Sequence, residues 1–306
     1  MSIRVSVPAT SANLGPGFDS FGLALTLRNT LSLSFGHPFA IELAGRYSAG
    51  ISRDETNLVW QTMLHLWQRV GFPVPRASLL LENNIPPARG LGSSSAAICA
   101  GLLAANAAAG SPFSRLELLQ IAGGLEGHPD NVTPALFGGV TFSVQTPEGI
   151  LPRIIAECPP LAAVVAVPDT PLKTETARAV LESKVPRADA VFNIGHAALI
   201  VEAFLRRDYP LLRPGMEDRL HQEQRAGLIP GLKPALEAAL RAGAYGAALS
   251  GSGPTLLALA DRAAAKGVGW AMQLALAEDG LPAEIFFLSI DPQGATVTGP
   301  DVRCRT

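Results

Sequence analysis

Pro86-Pro-Ala-Arg-Gly90-Leu-Gly92-Ser-Ser-Ser95-Ala96 is the stretch on which the reading of this chain turns, because two glycines and three serines run straight into an Ala-rich apolar segment, Ser94–Ala109, that predicts a helix. Glycines let a backbone approach an anion closely. The unpaired amides of a first helical turn point at that anion, and the helix macrodipole adds partial positive charge there. A Gly-Ser turn that merely caps a helix accounts for the segment alone equally well. Two other phosphate motifs are excluded on spacing: no Lys-Ser/Thr pair follows Gly92, and Ser95 stands where a dinucleotide fingerprint needs its third glycine.

Two further loops share this chemistry. Thr10-Ser-Ala-Asn13-Leu-Gly15-Pro-Gly17-Phe-Asp19 lies near the N-terminus, and Ser250-Gly-Ser-Gly253-Pro-Thr255 lies far downstream. In this order and spacing, Pro8–Asp19, Pro86–Ser94 and Gly243–Thr255 resemble the three motifs of the GHMP small-molecule kinases, most nearly those that phosphorylate homoserine. The resemblance implies an α+β, two-domain GHMP kinase fold. Its N-terminal half would be like domain 2 of ribosomal protein S5 and its C-terminal half ferredoxin-like, with the active site in the cleft between them. It also implies ATP and Mg2+ as cofactors, transfer of phosphate to the side-chain hydroxyl of L-homoserine, a place in threonine biosynthesis, and often a homodimer.

The whole-chain numbers suit such a protein. At 306 residues, with 48% hydrophobic and 16% charged residues, it has length for two domains, each with a core. Twenty-four basic against 26 acidic residues give a net charge of −2, which argues against nucleic acid or an anionic membrane and for a small-molecule partner. Cys99, Cys158 and Cys304 have no paired spacing, so neither a disulfide framework nor a cysteine metal site is expected, and a reducing cytoplasm is. The N-terminus lacks the apolar core of a signal peptide, and the apolar run Ile98–Ala109 is too short to span a bilayer.

Strands are expected at Ile3–Val7, Leu23–Leu27, Leu31–Phe35, Ala77–Leu81 and Gly139–Val144, and helices at Asn57–Val70, Ser94–Ala109 and Ser114–Glu126. Thr146–Pro160, with four prolines, reads as a crossing between domains 1–155 and 156–306. Beyond it, strands are expected at Leu161–Val167, Gly246–Leu249, Thr255–Ala260 and Ile285–Ser289. Helices are expected at Thr174–Glu182, Ala188–Arg206 and Pro234–Ala242, and another ending near Ala277.

Phosphoryl transfer needs a nucleotide held in line with an acceptor, a divalent cation, and donors that neutralise charge on the transferring group. The resemblance assigns the nucleotide to Pro86, Arg89, Gly90, Leu91, Gly92, Ser93, Ser94, Ser95 and Ala96, with Ser250, Gly251, Ser252 and Gly253 from the third motif. Asn57 would contact the base, although helix N-capping explains an asparagine there as well. Within Glu126-Gly-His128-Pro-Asp-Asn131, the resemblance pairs Glu126 with Ser94 at Mg2+ and turns His128 and Asn131 toward substrate. Read without it, His-Pro-Asp-Asn is an ordinary tight turn. Ser95, inserted before Ala96 relative to the usual family loop, leaves open which of Ser93, Ser94 and Ser95 meets the metal. Asn13 and Asp19 would contact the acceptor's hydroxyl and amino ends and count with Glu126 as catalytic, while Arg178 and Arg225 would clamp its carboxylate. No lysine near Arg4–Ala12 partners Asp19, so no general base is assigned. Two other readings are a serine hydrolase, from the elbow-like Gly92-Ser-Ser94-Ser-Ala96, and a nucleotide-binding sensor without activity.

Overall fold

The computed structural model describes residues 2–299; Cys304 lies outside them. The first half opens with β1 (Ser2–Ala12) and β2 (Phe21–Phe35), followed by β3 (Ala40–Ala44), α1 (Leu58–Val70) and β4 (Ala77–Glu82). Next come α2 (Ser93–Ala108), α3 (Arg115–Glu126), α4 (Pro129–Phe137), β5 (Val140–Thr146) and β6 (Gly149–Ala156). The sheet runs β1–β2–β4–β3, and β5 pairs with the start of β2 and carries β6 at its edge.

The strand expected at Leu23–Leu27 and the one expected at Leu31–Phe35 are a single strand. Its polar middle carries a bulge, where the pairing with β1 shifts between Pro8–Arg28 and Ala9–Leu25, and the side chains there find partners. Arg28 donates to Ser6 Oγ at 2.9 Å and to the Gly294 carbonyl at 2.6 Å, and Asn29 Oδ1 accepts from the amides of Asn84 and Ile85 at 2.7 and 2.9 Å. The expected crossing at Thr146–Pro160 instead begins with the β5–β6 hairpin, and Pro152 is tolerated because β6 is an edge strand. The His-Pro-Asp-Asn turn is the start of α4, with Pro129 at its first position, where a missing N–H is harmless.

The second half contains β7 (Ala162–Pro168), α5 (Thr174–Ala179), α6 (Arg187–Arg206), α7 (Leu212–Gly215), α8 (Gln222–Arg225) and α9 (Leu232–Arg241). It continues through β8 (Ala244–Leu249), β9 (Leu256–Ala260), α10 (Ala265–Glu278) and β10 (Ala283–Ser289). These four strands form an antiparallel sheet in the order β10–β7–β9–β8, the 4-1-3-2 order of a ferredoxin-like split βαβ unit. The chain then returns: β11 (Thr296–Thr298) pairs antiparallel with Arg4–Ser6 of β1, so the last strand joins the first sheet.

Every residue of β7 is buried, which explains its continuous apolar run. Ala163, Val165 and Val167 face the large core shared with the first half, whereas Ala162, Val164 and Ala166 face α9 and α10. α6 is long and apolar enough to cross a membrane by length and composition, a property the sequence reading did not assign to it.

Candidate active site

Three loops meet at one wall. The Thr10 amide donates to Leu91 O at 3.1 Å, Gly251 N–H to Ala12 O at 3.1 Å, and Ser250 Oγ to Gly90 O at 2.6 Å, so the motifs dispersed along the sequence are hydrogen-bonded to one another. Glycine is required where they touch: a Cβ on Gly90 would lie 2.3 Å from Ser250 O, and one on Gly92 1.9 Å from Thr10 Oγ1, both at positive φ.

Gly92 caps α2 with φ 66°, no side chain caps this helix, and its first backbone bond runs from Ala96 N–H to Gly92 O at 2.9 Å. The amides of the first turn are therefore open toward a cleft of about 740 Å3 that Gly90, Leu91, Gly92, Ser93 and Ser94 line. Asn13, Asp19, Asn57, Arg89, Glu126, His128, Asn131, Arg178, Arg225, Gly251 and Ser252 also line it. Pro86, Ser95, Ala96, Ser250 and Gly253 are buried behind the wall. The Arg89 guanidinium donates to the carbonyls of Pro168, Pro87 and Asp169 and ties the loop to the end of β7.

Glu126 is the last residue of α3, which Gly127 ends in a left-handed conformation at φ 90°. A carboxylate at a helix C-terminus opposes the macrodipole, an unfavourable placement that a purely structural residue would avoid. One of its oxygens accepts from Ser94 Oγ at 2.7 Å and from Ser95 Oγ at 2.9 Å. Hydroxyl and carboxylate oxygens beside open amides are the donor set that Mg2+ prefers, so these residues fit the ion. Among the described residues Ser94 has a carboxylate partner and no histidine, which leaves the hydrolase reading without its base.

On the opposite side, both Arg178 amino groups bind Asp19, at 2.6 and 3.1 Å. The Asp19 bond and burial act in opposition on Arg178, and its pKa stands above the ordinary value. Arg225 is 1% exposed and donates from Nε to Ala177 O and from Nη1 to Gly251 O and to the His221 ring. Its Nη2 has no protein partner among the described residues. Burial, and then the neighbouring Arg178 charge, pull its pKa down to about 10, so it remains a cation at neutral pH. Phe18, given no role from the sequence, lies under both guanidiniums at 5.4 and 5.5 Å.

Asn13 is at φ 71° with both ends of its amide occupied: Nδ2 donates to Gly251 O and Oδ1 accepts from the Asp19 amide. It holds the loop that presents Asp19. Asn57 likewise caps α1 through Val59 N–H at 2.9 Å, while its Nδ2 donates to Ser52 O at 2.7 Å. Asn57→Ala is expected to lower stability by about 1 kcal/mol, measured as a drop in the urea midpoint, because an N-cap and a loop tether are lost together.

His128 Nδ1 lies 2.6 Å from an Asp130 oxygen. Burial disfavours the imidazolium, but the Asp130 bond and the charges of Asp130 and Glu126 outweigh it, and the pKa stands above its usual value. Asp130, which no expectation included, was legible only as an acid two residues beyond a histidine. The cleft-lining Ser52 and Thr56 sit in the polar run just before the Asn57 cap.

Comparison with known proteins accords with this geometry. Residues 57–139 match the GHMP kinases N terminal domain and residues 200–275 the GHMP kinases C terminal domain. The chain is 54% identical to a homoserine kinase of Desulfitobacterium hafniense over 96% of its length and 99% of that protein's. It is 42% identical to a homoserine kinase of Microchaete diplosiphon, over 96% and 97% of the two chains. A crystal structure of homoserine kinase from Cytophaga hutchinsonii superposes with a TM-score of 0.86 at 29% identity, covering 97% of each chain. L. major mevalonate kinase shares the fold at a TM-score of 0.72 and 15% identity, over 94% of this chain and 95% of that one. With family matches in both halves of the sequence and relatives alike over 96% of its length, the chain belongs to the GHMP kinase family.

Proposed function

We propose that this protein transfers the γ-phosphoryl group of ATP to the side-chain hydroxyl of L-homoserine, giving O-phospho-L-homoserine and ADP in cytoplasmic threonine biosynthesis. The observation that carries the substrate assignment is the pair of guanidiniums beside Asp19. Arg225 lines the cleft with one amino group that has no partner among the described residues, and a zwitterionic alcohol supplies a carboxylate for the arginines and an ammonium for Asp19. The relatives named homoserine kinase support the same reading.

In this mechanism the open amides from Gly90 to Ser94 hold the triphosphate. Ser94 and Glu126, with Ser95 behind them, would hold Mg2+, which supplies charge neutralisation across the phosphates. Arg178, Arg225 and His128 orient the acceptor. Its hydroxyl oxygen forms the new P–O bond as the bond from the γ-phosphorus to ADP breaks, and the hydroxyl proton passes to a γ-phosphoryl oxygen. Positioning thus replaces a dedicated base.

The test is a panel of small alcohols with MgATP, read as ADP release. L-Homoserine is expected to drive turnover, and mevalonate and galactose to leave the rate at the background of ATP hydrolysis. ADP release without dependence on homoserine would overturn the acceptor assignment.

A further inference from the structure

We propose that Asp130 is a positioning residue for the phosphoryl acceptor, fixing the His128 ring through a buried polar chain that runs back to the phosphate loop. The inference rests on the kinase reading above, and no sequence motif assigned Asp130 a part.

Asp130 is the second residue of α4, where an acid is favoured by the helix dipole alone. A residue serving only the dipole would be solvated or would bind the helix amides. Asp130 is 2% exposed, and among the described residues its carboxylate accepts from no backbone amide. Its Oδ1 instead meets His128 Nδ1 at 2.6 Å and Asn131 Nδ2 at 3.3 Å. Because a carboxylate only accepts, the ring must carry its proton on Nδ1, and Nε2 is the nitrogen left for a ligand.

The chain continues inward. Asn131 Oδ1 accepts from Thr10 Oγ1 at 2.8 Å, and Thr10 is the residue whose hydroxyl excludes any side chain at Gly92. Thr10, Asn131 and Asp130 are all buried. The chain therefore links the loop that grips phosphate to the ring that faces the acceptor, and it sets their separation. At its outer end, a carboxylate oxygen of Asp19, a ring nitrogen of His128 and a carboxylate oxygen of Asp130 lie within 4.8 Å of one another, so the fixed ring belongs to the acceptor wall.

The experiment is a double-mutant cycle of Asp130→Asn and His128→Gln, with KM and kcat measured separately for acceptor and ATP. The acceptor is whichever alcohol of the panel drives ADP release, so a wrong acceptor assignment leaves the cycle readable. Asp130→Asn is expected to raise the acceptor KM or lower kcat by about tenfold or more, with the ATP KM and Tm unmoved. In the double variant it should add nothing to His128→Gln. Fully additive losses, or acceptor and ATP KM rising together with a fall in Tm, would overturn the proposal and make Asp130 a residue of the fold. Nitrogen NMR of the parent protein, with the His128 signals assigned by their loss in His128→Gln, tests the same point without folding of Asp130→Asn. A proton on Nδ1 is expected, and a neutral ring protonated only at Nε2 would refute the arrangement.

Discussion

Glu126→Gln is expected to lower kcat by roughly two to three orders of magnitude while leaving Tm at or slightly above that of the parent protein. The amide oxygen can still accept from Ser94 and Ser95, now at 2.7 and 2.9 Å from the carboxylate, so the loop keeps its shape and only the charge is removed. Stability should not suffer, because a neutral group at the C-terminus of α3 no longer opposes the helix dipole. The loss should fall on the step in which charge moves between phosphoryl oxygens, and the acceptor KM should change little. ADP release at saturating acceptor, with nucleotide affinity measured by calorimetry with and without Mg2+, checks this. A variant within a few-fold of the parent kcat would remove Glu126 from the phosphate side of the cleft.

Arg225 carries the second large effect. Arg225→Lys keeps a cation but loses the fork that binds Ala177 O, Gly251 O and the His221 ring while leaving one amino group for a ligand. The KM for homoserine should rise ten- to a hundredfold, corresponding to the roughly 1.5–3 kcal/mol of a hydrogen bond to a charged group, with the ATP KM nearly constant. Arg225→Ala should show the same rise together with a lower Tm, since two buried carbonyls lose their donor. Equal increases in both KM values would mean that this arginine braces the third loop and nothing more.

Much of this site can be read in the chain because its chemistry is local. Gly90, Gly92 and the three serines specify an open helix start whatever surrounds them, and Asn57 caps the helix it precedes. Ser114 and Glu117 likewise mark the start of α3 by themselves. What sequence reasoning missed depends on long-range pairing. β2 runs on through a polar middle where Arg28 and Asn29 find partners as distant as Ser6, Asn84 and Gly294, and β11 joins the first sheet by an antiparallel register with β1 that no local pattern encodes. The same holds for Asp130, whose importance lies in a burial that a polar tetrapeptide does not announce. Asn13 differs in kind: the resemblance makes it a contact for substrate, and the fold adds that its amide is already committed to Gly251 and Asp19.

Strand β7, with apolar side chains enclosed on both surfaces, gives one face to an interior that both halves share and the other to a second core under α9 and α10. Rocking one half against the other would tear that interior open, so the two banks of the cleft behave as a fixed frame. Admission of nucleotide and release of products then fall to the rim, where Ser52 and Thr56 lie just before α1, tied to it through Asn57, and Leu172–Glu175 lead into α5, tied to the phosphate loop through the Ala88 carbonyl.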